Sequence, residues 1–371
     1  MNVPHAPLAI DGFGSIFYAF DVGFQIDLDV AARIVREATR RRVVRARRPA
    51  PVWFDYRPAP VRLVLDGEPI ALGGQVTESS IEVLIYDFGA MVLTYRTSLP
   101  PTIDALPELA SELYDHPGLL RDARDRVSRL VEAIGPAIER PRVHEAVEDY
   151  AVFAITEWDA ERTPDAIVDA APSVLARAME AEMGELAPAQ TARLMSGRMS
   201  YAPTDLALVD WNSAILFDRE PDDVLAVLQH ANVELLELRV LDEELDAILD
   251  HADETLARLV RRRFWPTFEE SRLLSRVASA QTDAAVMFEG VNNAIKVIGN
   301  QYLARLYRLA ARRLDLPAWQ SSVQRKLAAT EGLYQKMSDA AAGRRMETLE
   351  WVIIILIAAS MILPFVTSYG H

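Results

Sequence analysis

Hydrophobic positions in the first half of the chain switch between two periods. Gly14 to Leu28 places Ile16, Tyr18, Phe20 and Val22 at every second position, the spacing of a strand with one buried face. Asp29 to Arg42 follows with helical spacing and its own aspartate as cap. After an Arg- and Pro-rich linker, Val61 to Ile70 reads as a strand with an Asp-Gly turn signal. Ile81 to Tyr95 reads as a hairpin pivoting at Asp87-Phe88-Gly89, and Leu106 to Ala133 as helix broken at His116-Pro117.

The order then recurs. Asp149 to Thr156 is a strand, Asp165 to Glu185 is helical, and Asp205 to Phe217 is a hairpin pivoting at Asp210-Trp211-Asn212. A helix begins at Pro221. Two units of strand, helix, hairpin and helix, at 13–135 and 143–250, imply a degenerate duplication whose strands form one antiparallel sheet under helices. The expected fold class is α+β. The expected domains are an N-terminal α+β unit (1–140), a second α+β unit (141–255), a helical hairpin or coiled coil (256–345) and a C-terminal anchor (346–371).

Beyond Pro221 the strand pattern stops. Val224, Leu228, Ala231, Leu235, Leu238, Asp242, Leu245 and Leu249 alternate steps of four and three, a heptad seam with one polar interruption. A second helix carries Phe288, Ile295 and Tyr302 at one seam position. Such a seam suits association of copies of the chain, and also packing within one subunit. A third helix after Pro317 runs from Val323 through Leu327, Thr330 and Tyr334 into an uncharged stretch, Trp351 to Val366. Sixteen residues span roughly 24 Å against a hydrocarbon core of ~30 Å, and the flanks Leu349 and Thr367–Tyr369 lengthen the stretch. Trp351, Ile354, Leu356, Ile362 and Phe365 give it apolar surface all round, which predicts a single membrane-spanning helix in a lipid bilayer. Arg344 and Arg345 precede the stretch and no Lys or Arg follows it, so the body is expected in the cytoplasm. Met1 to Ile10 has no basic n-region and no secretory signal is expected.

Charge narrows the function. Lys+Arg 39 against Asp+Glu 54 leaves a net charge of −15 in 371 residues, which argues against a protein built mainly to coat nucleic acid. One run departs from this balance. Arg40, Arg41, Arg42, Arg45, Arg47 and Arg48 form a candidate patch for RNA phosphates or anionic lipid, although a solvated helix end accounts for them as well. The chain has no cysteine, which removes disulfides, thiolate nucleophiles and cysteine zinc sites. The Ala/Arg-rich usage matches a GC-rich bacterial genome. The six histidines lack metal-motif spacing, Gly73-Gly74 lacks the Lys-Ser/Thr of a phosphate loop, and Ser196-Gly197 lacks a nucleophile-elbow context. No catalytic, cofactor or metal site is expected, and no small-molecule substrate is evident.

Thr204 to Asp218 followed by Asp223 to Arg239 resembles the central block of the "required for meiotic nuclear division" family, also called domain of unknown function 155. Asn293 to Gly299 with Tyr302 to Tyr307, and Leu349 to Leu356, resemble its next helix and terminal anchor, so that the likeness covers roughly 80–365. The resemblance implies a membrane-tethered homo-oligomer without established enzymatic activity, one of whose members supports mitochondrial translation at the inner membrane. Asp210, Trp211, Asn232, Glu237 and Arg239 are the candidates for an interaction surface or buried polar network. Asp210 also suits a turn, and Glu237 and Arg239 a pairing along the helix. The expected function is a non-enzymatic, homo-oligomeric scaffold on the bacterial cytoplasmic membrane, with the mitochondrial inner membrane as the other location. The alternative is an RNA- or ribosome-associated membrane protein using the arginine run.

Overall fold

The computed structural model describes residues 8–39, 58–261 and 300–368, together with scattered helical residues between 278 and 288. The chain divides into two units, one of Met1–Val240 with Met287–Gln320 and one of Leu241–Val286 with Ser321–His371.

Twelve strands are described: β1 (Ile10–Asp21), β2 (Gln25–Ile26), β3 (Val61–Asp66), β4 (Ala71–Leu72), β5 (Gln75–Val76), β6 (Ser80–Ile85), β7 (Ala90–Ser98), β8 (Ile138–Glu139), β9 (Val147–Trp158), β10 (Arg198–Met199), β11 (Leu206–Val209) and β12 (Ser213–Phe217). The described helices are α1 (Leu28–Thr39), α2 (Leu106–Leu113), α3 (Pro117–Ile134), α4 (Pro164–Ala170), α5 (Pro172–Glu180), α6 (Pro188–Met195), α7 (Asp222–Arg261), α8 (Gln301–Arg313) and α9 (Leu316–Ser368).

Eight strands form one sheet in the order β10-β11-β12-β9-β1-β7-β6-β3. Its centre is the antiparallel pair β1–β9, whose register shifts at Asp11/Gly12. Each half hangs a three-stranded meander beside its central strand, but in opposite senses. β7 runs antiparallel to β1, whereas β12 runs parallel to β9. The sheet is therefore mixed, which corrects the expectation of duplicated units forming an antiparallel sheet. Similar strand-and-turn patterns do not specify direction. The helices α4, α5 and α6 between β9 and its meander return the chain so that β12 runs alongside β9, a route open only to a long crossover.

Alternation along the strands gives the sheet two buried faces. Ile16, Tyr18 and Phe20 of β1, Met91, Leu93 and Tyr95 of β7, and Phe153 and Ile155 of β9 pack in one core with Leu109 of α2, Val127 of α3 and Leu175 of α5. The alternate positions, among them Phe17, Ala19, Val92, Val152, Ala154 and Ala214, are buried on the other face. There α7 meets the sheet, with Gln229 Nε2 donating to Thr94 Oγ1 at 3.2 Å and Asn232 Nδ2 to the Glu148 carbonyl at 3.3 Å. The far side of α7 bonds to α8 and the start of α9, where Glu234 accepts from the Tyr307 hydroxyl and from Gln320 Nε2. Between Val224 and Leu241 the helix is thus buried nearly all round, including Val227, Val233, Leu236 and Val240 outside the heptad positions.

The second unit holds the rest of α7 and α9. Lys326 Nζ reaches Asp242 at 2.8 Å and Asp246 at 2.6 Å, and Ser322 donates to Asp242 at 2.9 Å, over buried Leu245, Val323 and Thr330. Among the described residues no helix is long and apolar enough to cross a membrane. This corrects the expectation of a tail-anchored transmembrane protein. The uncharged run is shorter than a hydrocarbon core and ends a 53-residue helix whose earlier turns carry Glu331, Lys336 and Asp339. Trp351, Ile354 and Leu356 are exposed, and the side chains of Ile362 and Phe365 lie outside the described residues. With the span go both membrane locations.

Candidate functional site

A cleft of about 420 Å³ opens in the first unit at the end of the sheet where β9 and β12 begin. Two helix corners deliver acidic residues to it. α2 ends at Leu113 with Tyr114 as its cap, Asp115 adopts a left-handed conformation (φ 48°), and the imidazole Nδ1 of His116 accepts from the amides of Gly118 and Leu119 to cap α3, with Pro117 in its first turn. α8 ends at Arg313 with Leu314 as its cap, Asp315 is again left-handed (φ 55°), and Pro317 stands in the first turn of α9. Both corners read Asp-x-Pro, and both aspartates line the cleft. Aspartate suits them because its short polar side chain tolerates the left-handed region better than most residues.

The first residues of β9 form one wall. Glu148 is buried and accepts a charge-assisted bond from Arg239 Nη1. Burial pushes its carboxyl up to about 7, against the opposing pull of Arg239. Asp149 next to it is solvent-exposed, and its carboxyl is also raised, by partial desolvation first, against its own backbone amide and with a further push from the nearby Asp115 carboxylate. Trp211 stands at another wall, half exposed at the tip of the β11–β12 turn. That turn is pinned from below. The Tyr150 hydroxyl sits 2.9 and 2.8 Å from the Asp210 and Ser213 carbonyls, and Ser213 Oγ donates to the Met179 carbonyl at 2.7 Å. Arg313 closes the floor, donating to the Arg193 carbonyl and to Ser196 Oγ while lying 3.6 Å from Asp210. Trp319 and Tyr114 complete the aromatic lining.

The five residues singled out from sequence are distributed around this cleft. Trp211 and Arg239 line it, Asp210 lies behind it against Arg313, and Asn232 holds the backbone of Glu148. Glu237 is buried on α7. Tyr302 packs its ring 5.4 Å from Tyr201 of the same chain, Phe288 is half buried, and Ile295 lies outside the described residues. Arg40, Arg41, Arg42, Arg45, Arg47 and Arg48 also lie outside them. Sequence reasoning missed Glu148, Asp149, Asp115, Arg313, Asp315 and Trp319. The repeated Asp-x-Pro at two helix breaks was the one local signal for any of them. Among the described residues no three His, Cys, Asp or Glu side chains are placed to hold a metal ion. The arrangement suits recognition of a polar organic molecule, with aromatic faces, carboxylates and two guanidinium groups around one cavity.

The family described as the N-terminal domain of the uncharacterized protein MJ0711 matches residues 11–223. The uncharacterized protein MJ0711 of Methanocaldococcus jannaschii is 21% identical over 293 residues, covering 78% of this chain and 83% of the archaeal one. No solved structure matches the chain. These findings overturn the resemblance to the "required for meiotic nuclear division" family. Most of the N-terminal stretch which that likeness left unassigned lies inside the match, while two of its three segments, a helix and the apolar terminus, lie outside it. A hairpin followed by an apolar helix is too general a pattern to carry a family assignment. The match covers more than half of the sequence and runs from β1 through the β11–β12 hairpin to the start of α7, and the chain belongs to the MJ0711 N-terminal domain family.

Proposed function

We propose that the protein is a non-enzymatic, self-associating scaffold in which copies join through the apolar end of α9 and each presents the cleft of its α+β body. The observation that carries this reading is the surface of α9. Every side chain from Trp351 to Ile357 is at least 47% exposed, so the helix is apolar on all sides at once. A helix of that kind is stable when neighbours surround it. A second copy is the occupant that fits. The run carries no charge that would repel its own image, and Ser360 Oγ donates to the Ile357 carbonyl at 2.7 Å, leaving little for a polar partner to recognise.

The absence of cysteine makes the test direct. Ile353→Cys in the full chain forms a disulfide-linked dimer under mild oxidation, while Tyr201→Cys, at a position 77% exposed on the first unit, remains monomeric. Equal cross-linking at both positions, or none at Ile353, overturns association through α9.

A further inference from the structure

We propose that the cleft between Trp211, Trp319 and the aspartates 115, 149 and 315 binds a small organic cation, one that carries ammonium or guanidinium donors. The inference is independent of the scaffold reading and rests on three features of the cavity.

The first is its charge. Four carboxylates line it against two guanidinium groups. Both guanidiniums are committed, Arg239 to Glu148 and Arg313 to Asp210 behind the wall. Asp115, Asp149 and Asp315 take no salt bridge among the described residues, and a cation between them would relieve their mutual repulsion. The second is shape. The carboxylates do not converge as a metal cage would, but stand around a cavity of about 420 Å³, in the range of small-molecule sites. Trp211, Trp319 and Tyr114 supply aromatic faces, which attract an organic cation that sheds its water more readily than a metal ion does. The third is an orphaned acceptor. Asn212 lines the same cleft, and its side-chain oxygen is buried with no hydrogen-bond partner among the described residues. Rotation of the Asn212 side chain towards the cleft would bring that oxygen to a ligand N–H, whereas an anion would not satisfy it.

The test is isothermal titration of the full chain with spermidine and with arginine methyl ester, one ammonium and one guanidinium probe, beside magnesium chloride and citrate at matched ionic strength. At least one organic cation is expected to bind saturably, with no matching signal from magnesium or citrate. Asp149→Asn and Trp211→Ala are each expected to weaken binding about fivefold or more. Asp115→Asn is a second acidic variant that keeps a residue tolerant of the left-handed corner. Quenching of tryptophan fluorescence by the same probes in the unaltered chain, reduced in Trp211→Phe, gives a readout that needs no acidic variant to fold. Absence of saturable binding by both cations overturns the proposal, as does equal binding of magnesium, preferential binding of citrate, or affinity unchanged in all of the variants.

Discussion

Arg193 grips Asp210 through both terminal nitrogens, 3.1 and 3.0 Å from its two carboxylate oxygens, and the carboxylate it holds is buried at the start of the β11–β12 turn. The same guanidinium reaches Glu180 at 3.0 Å, so α5, α6 and the turn carrying Trp211 are tied at one point. Removing Arg193 leaves Asp210 with Arg313 alone, at 3.6 Å. A broken buried pair costs about 3–5 kcal/mol, but Arg193 is partly exposed and a second cation remains, so Arg193→Ala should cost about 2 kcal/mol. Arg193→Lys, which keeps the charge but not the fork, should recover less than half of that. Urea unfolding of the variants measures both. A loss below about 0.5 kcal/mol for Arg193→Ala would show that the turn is held by Tyr150 and Ser213 without it.

Two buried carboxyls set a pH dependence for the first unit. Burial pushes Glu234 and Glu148 up from 4.5 to about 7, while burial alone lowers His230 from 6.5 to about 4. A raised carboxyl keeps its proton in the folded chain where the unfolded chain has lost it. Its contribution is therefore full below pH 4.5 and lost as the pH rises through 7. His230 acts in the opposite sense, with a contribution full above pH 6.5 and lost as the pH falls towards 4. Between pH 8 and 6.5 only the carboxyls count, and stability should rise as the solution is acidified. Below 6.5 the histidine offsets one of them, and the rise should continue at about the slope of a single group. Glu234→Gln, which keeps an acceptor for Tyr307, should remove roughly half of the slope between pH 8 and 6.5. Urea midpoints across that range, unchanged in slope by the substitution, would count against a titrating Glu234.

What the sequence made legible was local. Asp87-Phe88-Gly89 and Asp210-Trp211-Asn212 join paired strands, and helices break at His116-Pro117 and before Pro317, because turn and cap chemistry acts over three or four residues. Strand direction was not legible, since β12 pairs with β9 in a sense decided by the helical crossover between them. The heptad pattern of α7 was real but incomplete. Gln229 and Glu234 look solvent-facing in a seam reading, yet they are buried because Thr94 and Tyr307 reach them from a distant strand and helix. The cleft was hidden for the same reason. Glu148 and Arg239 meet across 91 positions, and neither is unusual among its sequence neighbours. The apolar end of α9 was visible as composition, but an uncharged run has the same pattern whether lipid or protein covers it.

Gly89 should tolerate no side chain. It has φ 99°, and a Cβ built there would lie 1.9 Å from the Gly23 carbonyl oxygen. Its own carbonyl accepts from the Val22 amide at 2.9 Å, so the turn that starts β7 is pressed against the end of β1. Backbone meeting backbone cannot be relieved by a rotamer change. Gly89→Ala should therefore cost about 2–4 kcal/mol, outweighing the up to ~1 kcal/mol that stiffening the unfolded chain contributes in the other direction, and thermal unfolding compared with Gly74→Ala provides the measure. Gly74 faces open space, with nothing within 4 Å of its built Cβ. Equal stability of the two variants would mean that the β6–β7 turn shifts away from Gly23 at little cost.

Arg239 acts on the cleft through the proton of Glu148. Two influences compete at that carboxyl. Burial raises it, and Arg239 lowers it both by its charge and by its hydrogen bond, with the balance at about 7. Arg239→Met keeps an unbranched apolar stem beside Leu235 but removes the guanidinium, so the opposing pull disappears and Glu148 should titrate higher still. The Asn232 bond to the Glu148 carbonyl stays in place, so β9 should not move. The expected result is an upward displacement of the Glu148 carboxyl titration, followed by carbon-13 chemical shift, with the Asp87 titration unchanged as an internal control on β-turn geometry elsewhere. A Glu148 titration that stays near 7 in Arg239→Met would show that the pair contributes little to the protonation of the cleft, and that desolvation alone sets the charge presented to a ligand.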